Sequence, residues 1–274
     1  MKKSGLTYIV DDLSLIRKDI IRDNSVVIKL SNPDDVINVF QRCYGDYNIY
    51  QICLDLGFGS LSQIQFNNDW ENIPLVIFAY NLGDLNYILN LVGLIQTCKI
   101  RVMLPASNQE SYASLKILSS LGVDCGIFFD QEQVDSETFL DLASYYYMSP
   151  VPHASIEPFS NIKENIHIDH NHSFDEVYFI DEKRFIYIHS KSAFSFSPQS
   201  EHLSLYLSDN DFEKEQVNFK LVNYYGHFMN LDQCSKCKAF KICNHKLISS
   251  FNSDCQQIMA DVFEYAEISE NVRR

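Results

Sequence analysis

Four of the eight cysteines lie close together near the C-terminus. The chain there reads Cys234-Ser235-Lys236-Cys237-Lys238-Ala239-Phe240-Lys241-Ile242-Cys243-Asn244-His245, with Cys255 twelve residues after Cys243. Two thiols separated by two residues can turn about one ion, because the backbone between them forms a tight loop whose N–H groups point at sulfur. Cys243 can close a third coordination position; Cys255 is the natural fourth ligand and His245 its competitor. A bound cation lowers thiol pKa, so such ligands would be thiolates. Lys236, Lys238, Lys241 and Lys246 would then offset part of their charge. Four thiolates suit tetrahedral zinc or a cubane iron–sulfur cluster alike. The other cysteines, Cys43, Cys53, Cys98 and Cys125, are widely spaced. Cys53 and Cys125 fall inside apolar runs, and all four are expected to pack as small hydrophobes.

Elements that could position these ligands are legible upstream. Leu75-Val76-Ile77-Phe78-Ala79 after Pro74 is a continuous apolar run, the mark of a parallel strand covered on both faces. Leu85, Ile88, Leu89, Val92 and Ile95 then recur at helical spacing. Ile100 to Leu104 reads as a strand. Ser107 followed by Glu110 reads as the capping box of a helix that Gly122 ends. Val123 to Phe129 is another strand, and Asp135 can cap a helix through Tyr147. Val26–Leu30 and Tyr50–Leu56 are further strands, with a helix over 33–40 between them. Strand starts recur at roughly 25 residues, and such units cross over right-handed into a parallel sheet. The expected fold is therefore α/β, a small parallel sheet or partial (β/α) barrel over residues 1–150.

The pattern then changes. Residues 175–180 and 184–189 are β-rich and flank Asp181-Glu182-Lys183, which predicts an antiparallel hairpin. It is expected, with a Ser-, Asp- and Glu-rich surface connection, to occupy 151–215, before a cysteine domain over 216–274. With 274 residues, 46% apolar and 21% charged, the chain is that of a folded protein. A net charge of −14 argues against nucleic-acid partners. No run approaches the roughly 18–20 apolar residues that span a bilayer. Asp11 and Asp12 interrupt the N-terminus before a signal-peptide core forms, so no membrane association and a cytoplasmic location are expected.

The spacing C-x2-C-x5-C after an α/β domain and a hairpin resembles the SPASM domain of radical S-adenosylmethionine peptide maturases. The resemblance implies that Cys234, Cys237, Cys243 and Cys255 ligate one auxiliary [4Fe–4S] cluster, with zinc as the alternative metal. That family places a further cysteine after an x3 step; here the position is Leu247, and the hairpin ends in His189 rather than a ligand cysteine. A second auxiliary cluster is thus not expected. The family's catalytic C-x3-C-x2-C has no counterpart among Cys43, Cys53, Cys98 and Cys125, which argues against a self-sufficient radical enzyme. The chain looks instead like relatives lacking the catalytic cluster, most of all the CXXX-repeat peptide maturase family. The stretches Ser120-Leu121-Gly122-Val123-Asp124-Cys125-Gly126-Ile127-Phe128-Phe129 and Val151-Pro152-His153-Ala154-Ser155-Ile156-Glu157-Pro158-Phe159 carry that likeness. It implies an accessory maturase in a ribosomal-peptide pathway, with a precursor peptide and a separate radical S-adenosylmethionine enzyme as partners.

Other readings remain open on the residues. A zinc-stabilised peptide- or protein-binding module would need the same four cysteines. An independent enzyme could use His153 and Glu157 as acid and base, although loop packing explains that pair as well. His167, His170, His172 and Asp169 form a His-rich tract that reads as a solvated turn rather than a metal site. Leu56-Gly57-Phe58-Gly59 is a strand-end turn, not a dinucleotide fingerprint. Tyr145, Tyr146 and Tyr147 should pack a helix on the sheet, and Tyr224 and Tyr225 could shield the metal centre.

Overall fold

A computed structural model of the chain describes residues 7–11, 13–15, 25–130, 133–167, 177–178, 185–188, 193–195, 205–206, 232–243, 248–251 and 254–272. Its strands are β1 (Thr7–Val10), β2 (Ser25–Leu30), β3 (Asn48–Asp55), β4 (Leu75–Phe78), β5 (Arg101–Pro105), β6 (Cys125–Phe128), β7 (Ile156–Glu157), β8 (Phe185–Ile188), β9 (Ala193–Ser195) and β10 (Leu205–Tyr206). Its helices are α1 (Asp35–Cys43), α2 (Leu85–Thr97), α3 (Gln109–Ser120), α4 (Ser136–Met148), α5 (Phe159–Asn165), the single turns α6 (Asp232–Ser235), α7 (Phe240–Cys243) and α8 (Ile248–Phe251), and α9 (Cys255–Val272).

These strands form one sheet in the order β10-β9-β8-β1-β2-β3-β4-β5-β6-β7. From β8 through β1 to β7 every pairing is parallel. β9 and β10 extend the β8 edge antiparallel. Strands β1 to β7 run across the sheet in chain order and β8 returns to the far side of β1. That is the circular order of a (β/α) barrel. Among the described residues nothing pairs β7 with β8, so the fold is a partial (β/α) sheet.

Alternation along the strands produces its two faces. Tyr8, Val10, Val26, Ile28, Ile52, Leu54, Ile77, Val102, Leu104 and Ile127 join the helices in the main core, where Leu115, Leu118, Phe139 and Leu142 meet them. Ile9, Val27, Cys53, Phe185 and Tyr187 cluster on the inner face, and Val76, Met103 and Val177 form a second group there. Burial on both faces is what made the strands continuous apolar runs.

Side-chain caps start the crossover helices. The carboxylate of Asp84 accepts from the backbone N–H of Asn86 and Tyr87, and that of Asp135 from Glu137. For α3 the cap is Asn108, not Ser107: Asn108 Oδ1 accepts from Glu110 N at 3.0 Å. Ser107 Oγ is drawn away to donate to the Asp130 carboxylate beyond β6. Gly122 follows α3 with φ +80°, a left-handed conformation that glycine adopts without a Cβ penalty. In α2 the buried line is Ile88 and Ile95, whereas Leu85 and Leu89 are 39% and 46% exposed.

The expected hairpin over 175–189 is not the one formed. Val177 and Tyr178 are helical, and Phe185–Ile188 pairs parallel with β1 and antiparallel with β9. The turn Asp181-Glu182-Lys183 lies outside the described residues. The reason is burial: Ile186 and Ile188 enter the helix-side core while Phe185 and Tyr187 enter the inner one. A strand buried on both faces belongs inside a sheet, not in a half-wet hairpin. The sheet therefore takes β7 to β10 from the stretch 151–215.

At the C-terminus α9 buries Ile258, Met259, Val262, Phe263 and Ala266 on one side and packs against α4 and α5. Rings fasten this end: Phe139 of α4 stands 4.9 Å from Phe251 of α8 and 5.2 Å from Phe159 of α5. Each such pair contributes about 0.5–1.5 kcal/mol beyond its buried area. The cysteine segment is thus docked on the helical layer of the sheet.

Candidate functional site

The short helix α6 carries Cys234, a turn follows, and α7 carries Cys243 while Cys255 opens α9. The turn is closed by Cys237 N donating to Cys234 O at 3.2 Å and Phe240 N donating to Cys237 O at 3.1 Å. The Cys237 sulfur itself receives the N–H groups of Ala239 and Phe240, which favour its thiolate against the desolvation that raises its pKa.

Cys234, Cys243 and Cys255 are buried and Cys237 is half-buried. Burial pushes the Cys255 thiol up to about 12, and Cys237 and Cys234 add to the shift. Cys234 is raised by burial and then by Cys237. Cys237 thus lies close enough to act on both Cys234 and Cys255. Cys243 acts on Tyr178, whose hydroxyl donates to Ile127 O at 2.9 Å. Among the described residues no group of three or more His, Cys, Asp or Glu side chains is spaced to hold a metal ion. In donor chemistry the segment suits a thiophilic metal: the candidate ligand atoms are sulfurs, and backbone N–H groups favour the thiolate of one of them. Burial alone disfavours thiolates, and a bound cation reverses that balance. His245 and Leu247 lie outside the described residues, as do His189, Tyr224 and Tyr225.

The remaining cysteines pack as expected, all four buried. Cys125 Sγ donates to Leu115 O at 3.6 Å. Cys53, on the inner face, is pushed up to about 12 by burial against a lowering hydrogen bond from Gln51. Neither is poised as a nucleophile.

His153 and Glu157 enter different surroundings. The His153 ring stacks on Tyr145 and tilts against Tyr146, with Nδ1 3.0 Å from Ala154 O and Nε2 2.9 Å from Tyr146 O. Glu157 ends β7 with 6% exposure, its Oε1 3.6 Å from Arg101 Nη2 and its Oε2 accepting from Asn161 N at 3.2 Å. Burial raises the Glu157 carboxyl above its ordinary range, although Arg101 pulls it down. Of the His-rich tract, His167 pairs with Glu270 of α9; Asp169, His170 and His172 lie outside the described residues.

The carboxyl ends of β1–β3, where α/β proteins place their sites, open on a cleft of about 550 Å3 lined by Asp11, Lys29, Asp55 and Gly57. Lys29 Nζ lies 5.3 Å above the Tyr187 ring. The next turn presents Phe58, 90% exposed, edge-on to Tyr80 with centroids 5.7 Å apart. In sequence Gly57 and Phe58 read as a strand-end turn, and Lys29 and Asp55 carried no functional assignment. The signal was a charged residue closing each of three neighbouring apolar runs. Comparison of the chain with family models, with curated proteins and with solved structures finds no match.

Proposed function

We propose that this chain is an accessory component of ribosomal-peptide maturation. On this reading it binds one auxiliary [4Fe–4S] cluster through Cys234, Cys237, Cys243 and Cys255, engages a precursor peptide, and works beside a separate radical S-adenosylmethionine enzyme. The observation that carries the reading is the Cys234–Cys237 knuckle, with backbone N–H groups on sulfur and Cys255 within its electrostatic reach. Bound there, a cluster would organise the tail and supply a one-electron relay. What supports the peptide role is the exposed Phe58–Tyr80 pair, presented by the turn that follows Gly57 of the carboxyl-end cleft, since exposed aromatic anchors are what peptide and protein partners use. A zinc-stabilised binding module is the second reading, favoured by the same knuckle, since N–H groups directed at sulfur serve zinc equally well.

The functional test is co-expression of a cysteine-rich precursor and a radical enzyme from the same gene neighbourhood, with and without this chain. Mass spectrometry of the precursor reads the outcome. The modification should require the chain and be lost with Cys234→Ser/Cys237→Ser. A precursor modified to the same extent in the chain's absence contradicts the proposal.

A further inference from the structure

A second set of charged groups sits on the inner face, at the amino ends of β3 to β7 and away from the cysteines. Arg101 opens β5 and Glu157 ends β7, with β6 between them. They meet across β6 because Gly126, paired with Met103 on one side and Glu157 on the other, has no side chain. A Cβ there would lie 2.7 Å from Glu157 Cβ and 3.0 Å from both Glu157 O and Met103 Sδ. Burying a carboxylate beside a guanidinium costs desolvation, and apolar packing in its place is often as stable or more so. A strand glycine that makes room for such a pair therefore points to a use for the charges other than stability.

The pair faces an open cavity of about 390 Å3 whose wall includes Lys99, Arg101, Asp124, Glu157, Asn161 and Glu164. Arg101 lies 3.6 Å from Glu157, longer than the roughly 2.7–2.9 Å of a charge-assisted hydrogen bond. Its planar fork is thus not committed to that carboxylate. A simple anion entering here would confront three carboxylates, and a simple cation two basic side chains. A molecule carrying both charges a few ångströms apart satisfies both sets. The size of the cavity, at the lower end of small-molecule sites, suits one or two residues.

We propose that this cavity binds a zwitterionic ligand of amino-acid or dipeptide size, its carboxylate on Arg101 and Lys99 and its ammonium on Glu157 and Glu164. The site is independent of the metal reading, and Cys234→Ser leaves it intact.

Calorimetric titration of the full chain with L-serine, L-glutamine and glycyl-L-serine tests it, with N-acetyl-L-serine amide, inorganic phosphate and ammonium chloride as controls. At least one zwitterion should bind with a Kd of about 1 mM or tighter while the three controls stay silent. The stronger of free amino acid and dipeptide identifies the source. Lys99→Gln, at an exposed position, should weaken binding by about threefold or more. Arg101→Met/Glu157→Gln removes both charges together, so neither is left buried alone, and should abolish binding. Silence of all three zwitterions, equal binding by any control, or unchanged affinity in the double variant overturns the assignment. If the double variant does not fold, unchanged affinity in Lys99→Gln overturns it instead.

Discussion

Replacing Gly126 by alanine puts a methyl group where β6 passes between Met103 and Glu157. Two of its closest neighbours would be Glu157 Cβ at 2.7 Å and Glu157 O at 3.0 Å. Neither is the far end of a flexible side chain, so β7 must move relative to β6 and carry the Glu157 carboxylate away from Arg101. Overpacking of this kind costs about 1–3 kcal/mol. Misplacing a buried charge adds to that, and a gain of about 0.4–1 kcal/mol from a stiffer unfolded chain offsets part of it. The net expectation is a loss of about 2–3 kcal/mol, or a Tm lower by about 3–5 °C for a chain of this size. Trp70, the single tryptophan, is 2% exposed and gives an intrinsic fluorescence signal for unfolding. Gly93→Ala is the matched control: Gly93 lies in α2, and an added methyl group there would meet nothing within 4 Å. That variant should gain about 0.5–1 kcal/mol of helix propensity. A Gly126→Ala protein that melts at or above the wild-type temperature refutes the reasoning.

Three further outcomes are expected. The Glu157 carboxyl is raised above its ordinary 4.5 chiefly by burial. The stability linked to it is therefore fully present below that value and lost as pH rises through the raised folded value. Glu157→Gln should gain on the wild type across that window, seen as a Tm difference that grows as pH rises above 4.5; a difference that shrinks with pH contradicts the assignment of burial as the dominant cause. Asn108→Ala should cost about 1 kcal/mol through loss of the α3 cap, measured by urea titration; no change means the cap contributes nothing. Phe139→Ala should cost about 3–5 kcal/mol and, through the lost contact with Phe251, speed amide exchange in α9 more than in α2. Equal acceleration in both helices would break the link between this ring cluster and the docked tail.

The β-α units between residues 25 and 148 were readable because their strands are buried on both faces and their helices carry short polar caps. Continuous runs such as Leu75-Val76-Ile77-Phe78 and caps such as Asp135 state their structure locally. Ser107 misled because a hydroxyl three residues before a glutamate fits a capping box on its own. Only the approach of Asp130 from another strand diverts it, leaving Asn108 as the cap. The hairpin misled for a similar reason. Phe185-Ile186-Tyr187-Ile188 is a strand by any local measure, but its partner is β1, more than 170 residues earlier. Strand β1 itself, Thr7–Val10, is too short to announce itself. Helix α9 was not among the expected elements, although Ile258, Met259, Val262, Phe263 and Ala266 recur at helical spacing after Cys255. The knuckle at Cys234 and Cys237 follows from a two-residue spacing. The Arg101–Glu157 pair needs three strands in register around one glycine, and no local pattern encodes that.

The central claim is one thiolate-ligated [4Fe–4S] cluster in the tail, and the most direct measurement is iron, acid-labile sulfide and zinc per chain in protein isolated without exposure to oxygen. About four irons and about four sulfides per chain, the content of one [4Fe–4S] cluster held by four thiolates, are predicted, with both lost in Cys234→Ser. A colourless protein holding zinc, or a wild type with neither metal, contradicts it.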